Sequence, residues 1–123
     1  MIYNKLYEDF KALFPNYAST LSCLEKEAHV DNSDGMHIFF TFVVAPFLQC
    51  LFTHKDKKSI QTAFDFFEKM ATSGNMEIGE VLEYSILENL VSQGKDHLTQ
   101  YKQYMGKETI ACCLEIERYT IVT

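Results

Sequence analysis

The cysteines and histidines of this chain are the residues whose types and spacing most resemble those of a metal-binding site. Cys50 and His54 lie four residues apart, which is one helical turn and half of a metal site. A structural zinc site needs four ligands, and no second close pair supplies the rest, since Cys112 and Cys113 are adjacent and point apart on a helix. We therefore expect no metal and assign the cysteines to the core as small apolar residues.

No sequence motif marks a catalytic group. A nucleophilic cysteine needs a neighbouring base and a third group that orients it, and none of the cysteines stands in such a motif. Glu80 and Glu83 could share acid–base work or a divalent metal, but di-iron bundles use Glu-x-x-His, which is absent. The glycines are isolated, so there is no phosphate-binding loop. We expect neither an enzyme nor a cofactor. The alternative left open is a small enzyme or metal protein built on Glu80, Glu83, Cys50 or His54.

Length and charge narrow the class of protein further. The 123 residues are 47% hydrophobic, which predicts one domain, 1–123, with a real core rather than a disordered chain. The net charge of −6 would repel nucleic acid unless a basic patch compensated it. Lys55, Lys57 and Lys58 are the basic cluster, but Asp56 interrupts them, and a solvated helix start is the better interpretation.

The segment 36–52 is the most apolar in the chain. It contains His37, Thr41, Pro46 and Gln49 and is short for a membrane span, so we expect a buried helix and no membrane partner. The first ten residues carry charges where a signal peptide needs an apolar stretch. Four cysteines in a chain that is not secreted are expected to be reduced thiols, which predicts a cytoplasmic protein.

Hydrophobic periodicity predicts an all-α fold. The predicted helices cover residues 2–14, 19–29, 36–53 (bent at Pro46), 55–73, 76–92, 95–105 and 107–119. Two short strands are the alternative within 36–53, but the helical neighbours offer no sheet to join. Short turns between the helices predict an antiparallel helical bundle, grading over residues 55–119 into a short α-solenoid of the HEAT/armadillo kind. The predicted core includes Phe64, Phe67, Leu82, Ile86 and Leu90.

The helix predicted within residues 75–94 has apolar residues on both sides. Its inner stripe includes Leu82 and Ile86, while the opposite face combines carboxylates with further apolar side chains. We predict that this opposite face binds a protein partner through Glu77, Glu80, Tyr84, Leu87 and Glu88. The competing interpretation is that another helix, 107–119, covers Tyr84 and Leu87 and leaves only the glutamates in water.

Two polar residues lie within the apolar arc of the same helix. Ser85 and Asn89 are one turn apart, and each needs a hydrogen-bond partner if it is buried. We expect structural bonds to a neighbouring helix terminus or loop. The alternative is that they line a groove that is open to a ligand.

A set of residues in the second half of the chain resembles a known family. The set comprises Phe66 to Met70, Ser73 to Asn75, Val81, Ser85 to Leu90 and Tyr104 to Gly106. It resembles a small helical bacterial family of mostly uncharacterised proteins, akin to the cytoplasmic immunity proteins of polymorphic or contact-dependent toxins. The resemblance covers about residues 60–108 and implies a helical fold with a protein partner.

These observations together predict a protein-binding module. Its best concrete form is an immunity protein that neutralises a basic toxin domain by occlusion, with acidic side chains speeding encounter and apolar ones holding the complex. The alternative is a structural or regulatory helical-repeat adaptor that uses the same helix to self-associate. The oligomeric state is left open.

Overall fold

All regular structure in residues 1–120, the part that the computed structural model describes, is helical. The helices are α1 (Leu6–Ala12), α2 (Ala18–Ala28), α3 (Met36–Thr53), α4 (Lys57–Ala71), α5 (76–92), α6 (Lys95–Lys102) and α7 (Lys107–Tyr119). Short 3₁₀ turns, Tyr3–Lys5 and Pro15–Tyr17, precede α1 and α2. The predicted all-α class is confirmed, and the arrangement is consistent with a helical bundle. Its grading into a solenoid stays a prediction.

Two helices have most of the neighbours. Helix α3 contacts α1, α2, α4 and α5, and helix α5 contacts α3, α4, α6 and α7. A helix that touches four others must bury more than one side, because each contact takes a separate strip of its surface. The apolar residues on both sides of α5 therefore reflect its position between α3, α4 and α7.

Phenylalanine rings join the N-terminal helix to the rest of the core. Phe10 of α1 is fully buried, and its ring centroid lies 5.4 Å from Phe66, 6.0 Å from Phe67 and 6.1 Å from Phe47. Most of these contacts are edge-to-face, the arrangement that the ring quadrupoles favour. The predicted core residues Phe64, Phe67, Leu82, Ile86 and Leu90 are all buried, which confirms that part of the pattern.

Helix α3 departs from α-helical geometry just before its proline. Residues Phe40–Val44 form a π-helical segment, and Pro46 follows within the first turn of Ala45–Thr53. Proline has no N–H to donate and its ring crowds the carbonyl one turn earlier, so the turn before it must deviate from the α-helix. The predicted buried helix is confirmed, and the deviation lies upstream of Pro46.

Helix α3 is also long and apolar enough to cross a membrane, judged by length and composition. That test is weak evidence, because the core helix of a folded domain passes it too. Here Phe40, Phe47 and Leu51 of α3 are fully buried against other helices.

A single carboxylate holds the last helix against α4. The carboxylate of Glu68 accepts hydrogen bonds from the backbone N–H of Glu108 (3.1 Å) and Thr109 (2.9 Å), and from the Thr109 hydroxyl (2.8 Å). The first N–H groups of a helix have no partner within the helix, and an anion at that end also matches the helix dipole. Glu68 thus caps α7 from another helix.

The backbone at Gly106 makes room for this cap. A Cβ atom at Gly106 would lie 2.4 Å from Cδ of Glu68, far inside van der Waals contact. The φ angle of Gly106 is −75°, which any residue adopts, so the requirement for glycine is steric. Any larger residue at this position must displace the Glu68 side chain from the end of α7.

We predict that Glu68→Ala and Gly106→Ala destabilise the protein through the same lost cap. Each should lower the free energy of unfolding by about 1–2 kcal/mol, and the double variant should lose clearly less than the sum. Urea denaturation measures all three. Gly79→Ala is the matched control, because a Cβ there meets nothing within 4 Å and alanine should stabilise the helix by about 1 kcal/mol. Additive losses would contradict a shared cap.

The same cap predicts a dependence of stability on pH. Burial alone would raise the pKa of the Glu68 carboxyl, but the hydrogen bonds from Thr109 and Glu108 lower it below its ordinary value of 4.5. A carboxyl with a lowered folded-state pKa stabilises the protein above its unfolded-state value, and this stabilisation disappears as pH falls through the folded-state value. Below about pH 4.5, wild type should therefore lose stability more steeply than Glu68→Gln, while Glu27→Gln, at an exposed position, should follow wild type.

Candidate partner-binding surface

The turn between α4 and α5 sets where the candidate surface begins. Gly74 has a φ angle of +73°, a conformation that glycine adopts without strain. Asn75 then caps α5, its side-chain oxygen accepting hydrogen bonds from the N–H of Glu77 (2.9 Å) and Ile78 (3.3 Å). This cap fixes the start of α5 and places Glu77 in its first turn.

Four of the five predicted site residues reach solvent. Tyr84 is 53% exposed, Glu77 and Glu88 are exposed, and Glu80 is half-buried. We call these four residues the acidic face. They recur along α5 at spacings close to one helical turn, so their side chains follow one strip of the helix.

The acidic face carries no compensating positive charge of its own. The segment 76–94 contains no lysine, arginine or histidine. Among the ion pairs and side-chain hydrogen bonds within residues 1–120, none involves the carboxylate of Glu77, Glu80, Glu83 or Glu88. These carboxylates are therefore available to a cation from outside the chain, and their mutual repulsion would fall when one binds.

The prediction that Leu87 belongs to this surface is wrong. Leu87 is fully buried, in a part of α5 that packs against α3, α4 and α7. Residues Val81–Leu87 also form a π-helical segment, whose hydrogen bonds span five residues rather than four. Each residue of such a segment turns the chain by less than in an α-helix, so Leu87 lies further from the direction of Tyr84 than an α-helical projection places it. The competing interpretation is therefore right that Leu87 is covered, and it is wrong for Tyr84, which is 53% exposed.

Ser85 and Asn89 have structural partners. Ser85 is buried, with its hydroxyl oxygen 3.0 Å from Nδ1 of His37 and 3.4 Å from the His37 carbonyl oxygen, in the first turn of α3. Asn89 accepts a hydrogen bond from the side chain of Gln93 (2.9 Å). Ser85 confirms the expectation of a bond to a neighbouring helix terminus, and Asn89 instead bonds within its own helix.

Two of the four thiols, those of Cys112 and Cys113, are poorly suited to nucleophilic chemistry. Cys113 is buried, and burial raises the pKa of its thiol to about 11. Burial, with the nearby carboxylate of Glu83, also raises the pKa of Cys112. At neutral pH both are thiols rather than thiolates, and the thiolate is the nucleophile and metal ligand. Within residues 1–120 no group of three or more histidine, cysteine, aspartate or glutamate side chains is placed to hold a metal ion.

Met76 and Phe42 are among the exposed apolar residues that the sequence pattern does not predict. Met76 is 79% exposed at the first position of α5, directly after the Asn75 cap, and this position next to a helix end was the available signal. Phe42 is 53% exposed in the π-helical segment of α3. Phe42 stands in the most apolar segment of the chain, so its sequence neighbours gave no sign that it faces solvent.

Comparison with known proteins places the chain in a family without giving a function. A family model matches residues 7–120, and its description is a domain of unknown function, DUF7674. No curated protein and no solved structure matches the chain.

We predict that truncation to alanine affects the stability of the protein very differently at two positions of α5. Leu87→Ala should lower the free energy of unfolding by about 2–5 kcal/mol, because it empties a fully buried site. Tyr84→Ala should change it by less than about 0.5 kcal/mol, because the side chain is largely in water. Urea denaturation of both variants tests the assignment. Equal losses would mean that Tyr84 is a core residue and that the acidic face lacks its aromatic centre.

Proposed function

This chain belongs to the DUF7674 family, and we propose that it acts as a protein-binding module whose acidic face docks a basic protein domain. The observation that carries the proposal is the half-exposed ring of Tyr84 among carboxylates that have no partner within residues 1–120. A tyrosine offers apolar area, a hydroxyl and few rotatable bonds, which is why tyrosine is enriched at the centres of protein interfaces.

Charge favours a basic partner over other occupants. The chain as a whole carries −6, and the acidic face has three carboxylates, Glu77, Glu80 and Glu88, with no cation among them. A surface of this sign repels nucleic acid and attracts lysine- and arginine-rich proteins, which raises the rate of encounter. The buried side of α5 is held by α3, α4 and α7, so the face is presented on a rigid support and its side chains lose little freedom on binding.

The more specific form of the proposal is an immunity protein that neutralises a toxin domain by occlusion. Two lines support it: the resemblance in residues 60–108 and the acidic character of the exposed helix face. A nuclease toxin is expected to be basic because it binds phosphates, so an acidic protein would cover its substrate site by charge complementarity.

The test pairs the purified chain with the protein encoded by the adjacent reading frame, provided that this protein is basic. We predict nanomolar to micromolar binding with an association rate that falls as salt rises. The double variant Glu80→Lys/Glu88→Lys should reduce the association rate about tenfold or more, and Tyr84→Ala should speed dissociation, with a loss of affinity of about tenfold or more. Surface plasmon resonance separates the two rates.

The matched control is Glu27→Lys/Glu115→Lys, which changes the net charge equally at exposed positions on α2 and α7. It should leave the association rate within about threefold of wild type. Equal loss in both double variants would mean that net charge acts without a defined face. A concentration series in analytical ultracentrifugation tests the adaptor alternative, since a stable dimer that Tyr84→Ala dissolves would mean that a second copy occupies the face.

A further inference from the structure

An open cleft lies at the surface between the end of α3 and α6. Its volume is about 340 Å³. Gln49, Phe52 and Thr53 form one wall, and His97, Gln100 and Tyr101 form the other, with Gln93 between them. Each wall uses positions i, i+3 and i+4 of one helix, so helical geometry aims three side chains of each helix at the same space. None of these residues belongs to the acidic face.

The floor of the cleft is aromatic. The rings of Phe52 and Tyr101 meet edge to face, with centroids 4.4 Å apart, and Phe52 remains half-buried. An aromatic ring that is partly open to a cleft offers a flat apolar surface on which the C–H groups of a ligand can pack.

One polar group in the cleft is held in a fixed orientation. The Tyr101 hydroxyl donates to Oε1 of Gln93 (3.0 Å), and Nε2 of Gln93 donates to Oδ1 of Asn89 (2.9 Å). These bonds fix which end of the Gln93 amide faces which neighbour, and they leave one N–H of Gln93 and the lone pairs of Tyr101 unused. Fixed groups of this kind bind a ligand without first losing conformational freedom.

Most of the groups around the cleft are amides and hydroxyls. The lining contains no aspartate, glutamate, lysine or arginine, in a chain in which such residues make up 23%, and His97 is its one basic side chain. Gln49 and Gln100 are exposed, and their side-chain amides form no hydrogen bond within residues 1–120. Each amide is both a donor and an acceptor, as is each hydroxyl group of a sugar.

We propose that this cleft binds a neutral saccharide. The amides of Gln49 and Gln100, each a donor and an acceptor, match sugar hydroxyls, and the Phe52 ring matches the apolar face of a pyranose. The lining has no lysine or arginine, so a phosphorylated ligand would lose solvation without gaining a strong cationic partner. The site is independent of the proposed docking of a protein on the acidic face.

The experiment is a titration of the ¹⁵N-labelled full chain with methyl α-glucopyranoside, methyl α-mannopyranoside and maltose, followed by backbone amide shifts. We expect saturable shifts confined to residues 49–53 and 93–101 for at least one sugar, with a dissociation constant of about 1–10 mM for a ligand of this size. The variant Gln49→Ala/Gln100→Ala should bind that sugar about tenfold more weakly. Both positions are exposed, so the spectrum should otherwise stay that of the folded chain.

Asn32→Ala is the matched control, since Asn32 is an exposed amide in the loop before α3 and lies outside the cleft; it should bind within about twofold of wild type. An N-acetylated, amidated alanine tripeptide tests the rival ligand class, because peptide amides also combine donors and acceptors. Three outcomes would each overturn the proposal: no shift with any sugar at about 100 mM, shifts outside the cleft, or tighter binding of the tripeptide than of the sugars.

Discussion

The hydrogen bonds of the Glu68 carboxylate are the interaction on which the candidate surface depends. They join α4 to the first turn of α7 across 41 residues of sequence. Helix α7 in turn packs against α5, where Leu87 and Val91 are buried. Val91 lies beside Leu114 and Glu117 of α7, so this helix covers part of α5 that would otherwise face water. The Glu68 carboxylate thus adds to the contacts that hold α7 against α5 and narrow the side of α5 that is available to a partner.

The position of α5 among four other helices explains its composition. Its contacts with α3, α4, α6 and α7 leave a limited strip in water, and that strip holds glutamates and a single large aromatic residue, Tyr84. Restricting the open strip limits exposed apolar area, which protects a small domain from aggregation while retaining one ring for recognition. The same packing makes the strip rigid, so a partner would meet a surface that needs little ordering.

Hydrophobic periodicity was sufficient to predict the helices and much of the core, because buried residues such as Phe64, Phe67 and Ile86 repeat at the helical spacing. The burial of Leu87 could not be predicted from periodicity. Packing against neighbouring helices stabilises the π-helical segment, and no local sequence pattern indicates where such a segment forms. The link from Glu68 to Thr109 was equally hidden. Its two ends are distant in sequence, and a glutamate on a helix surface has the same local signature whether it caps another helix or is merely solvated.

Because of the π-helical segment Val81–Leu87, α5 contains one residue more than a regular α-helix between the same two ends would. One end of the helix is set by the Asn75 cap and the other by the bonds of Gln93, so the segment absorbs the surplus residue between two fixed points. Deleting one residue there would restore an α-helix and leave both fixed ends in place, because the wider turns hold the surplus residue. Ile78 and Leu90 would stay buried, while the side chains between them, Tyr84 included, would change direction. A natural variant with a one-residue deletion here would keep the core contacts at both ends of α5, and would be expected to differ in partner specificity.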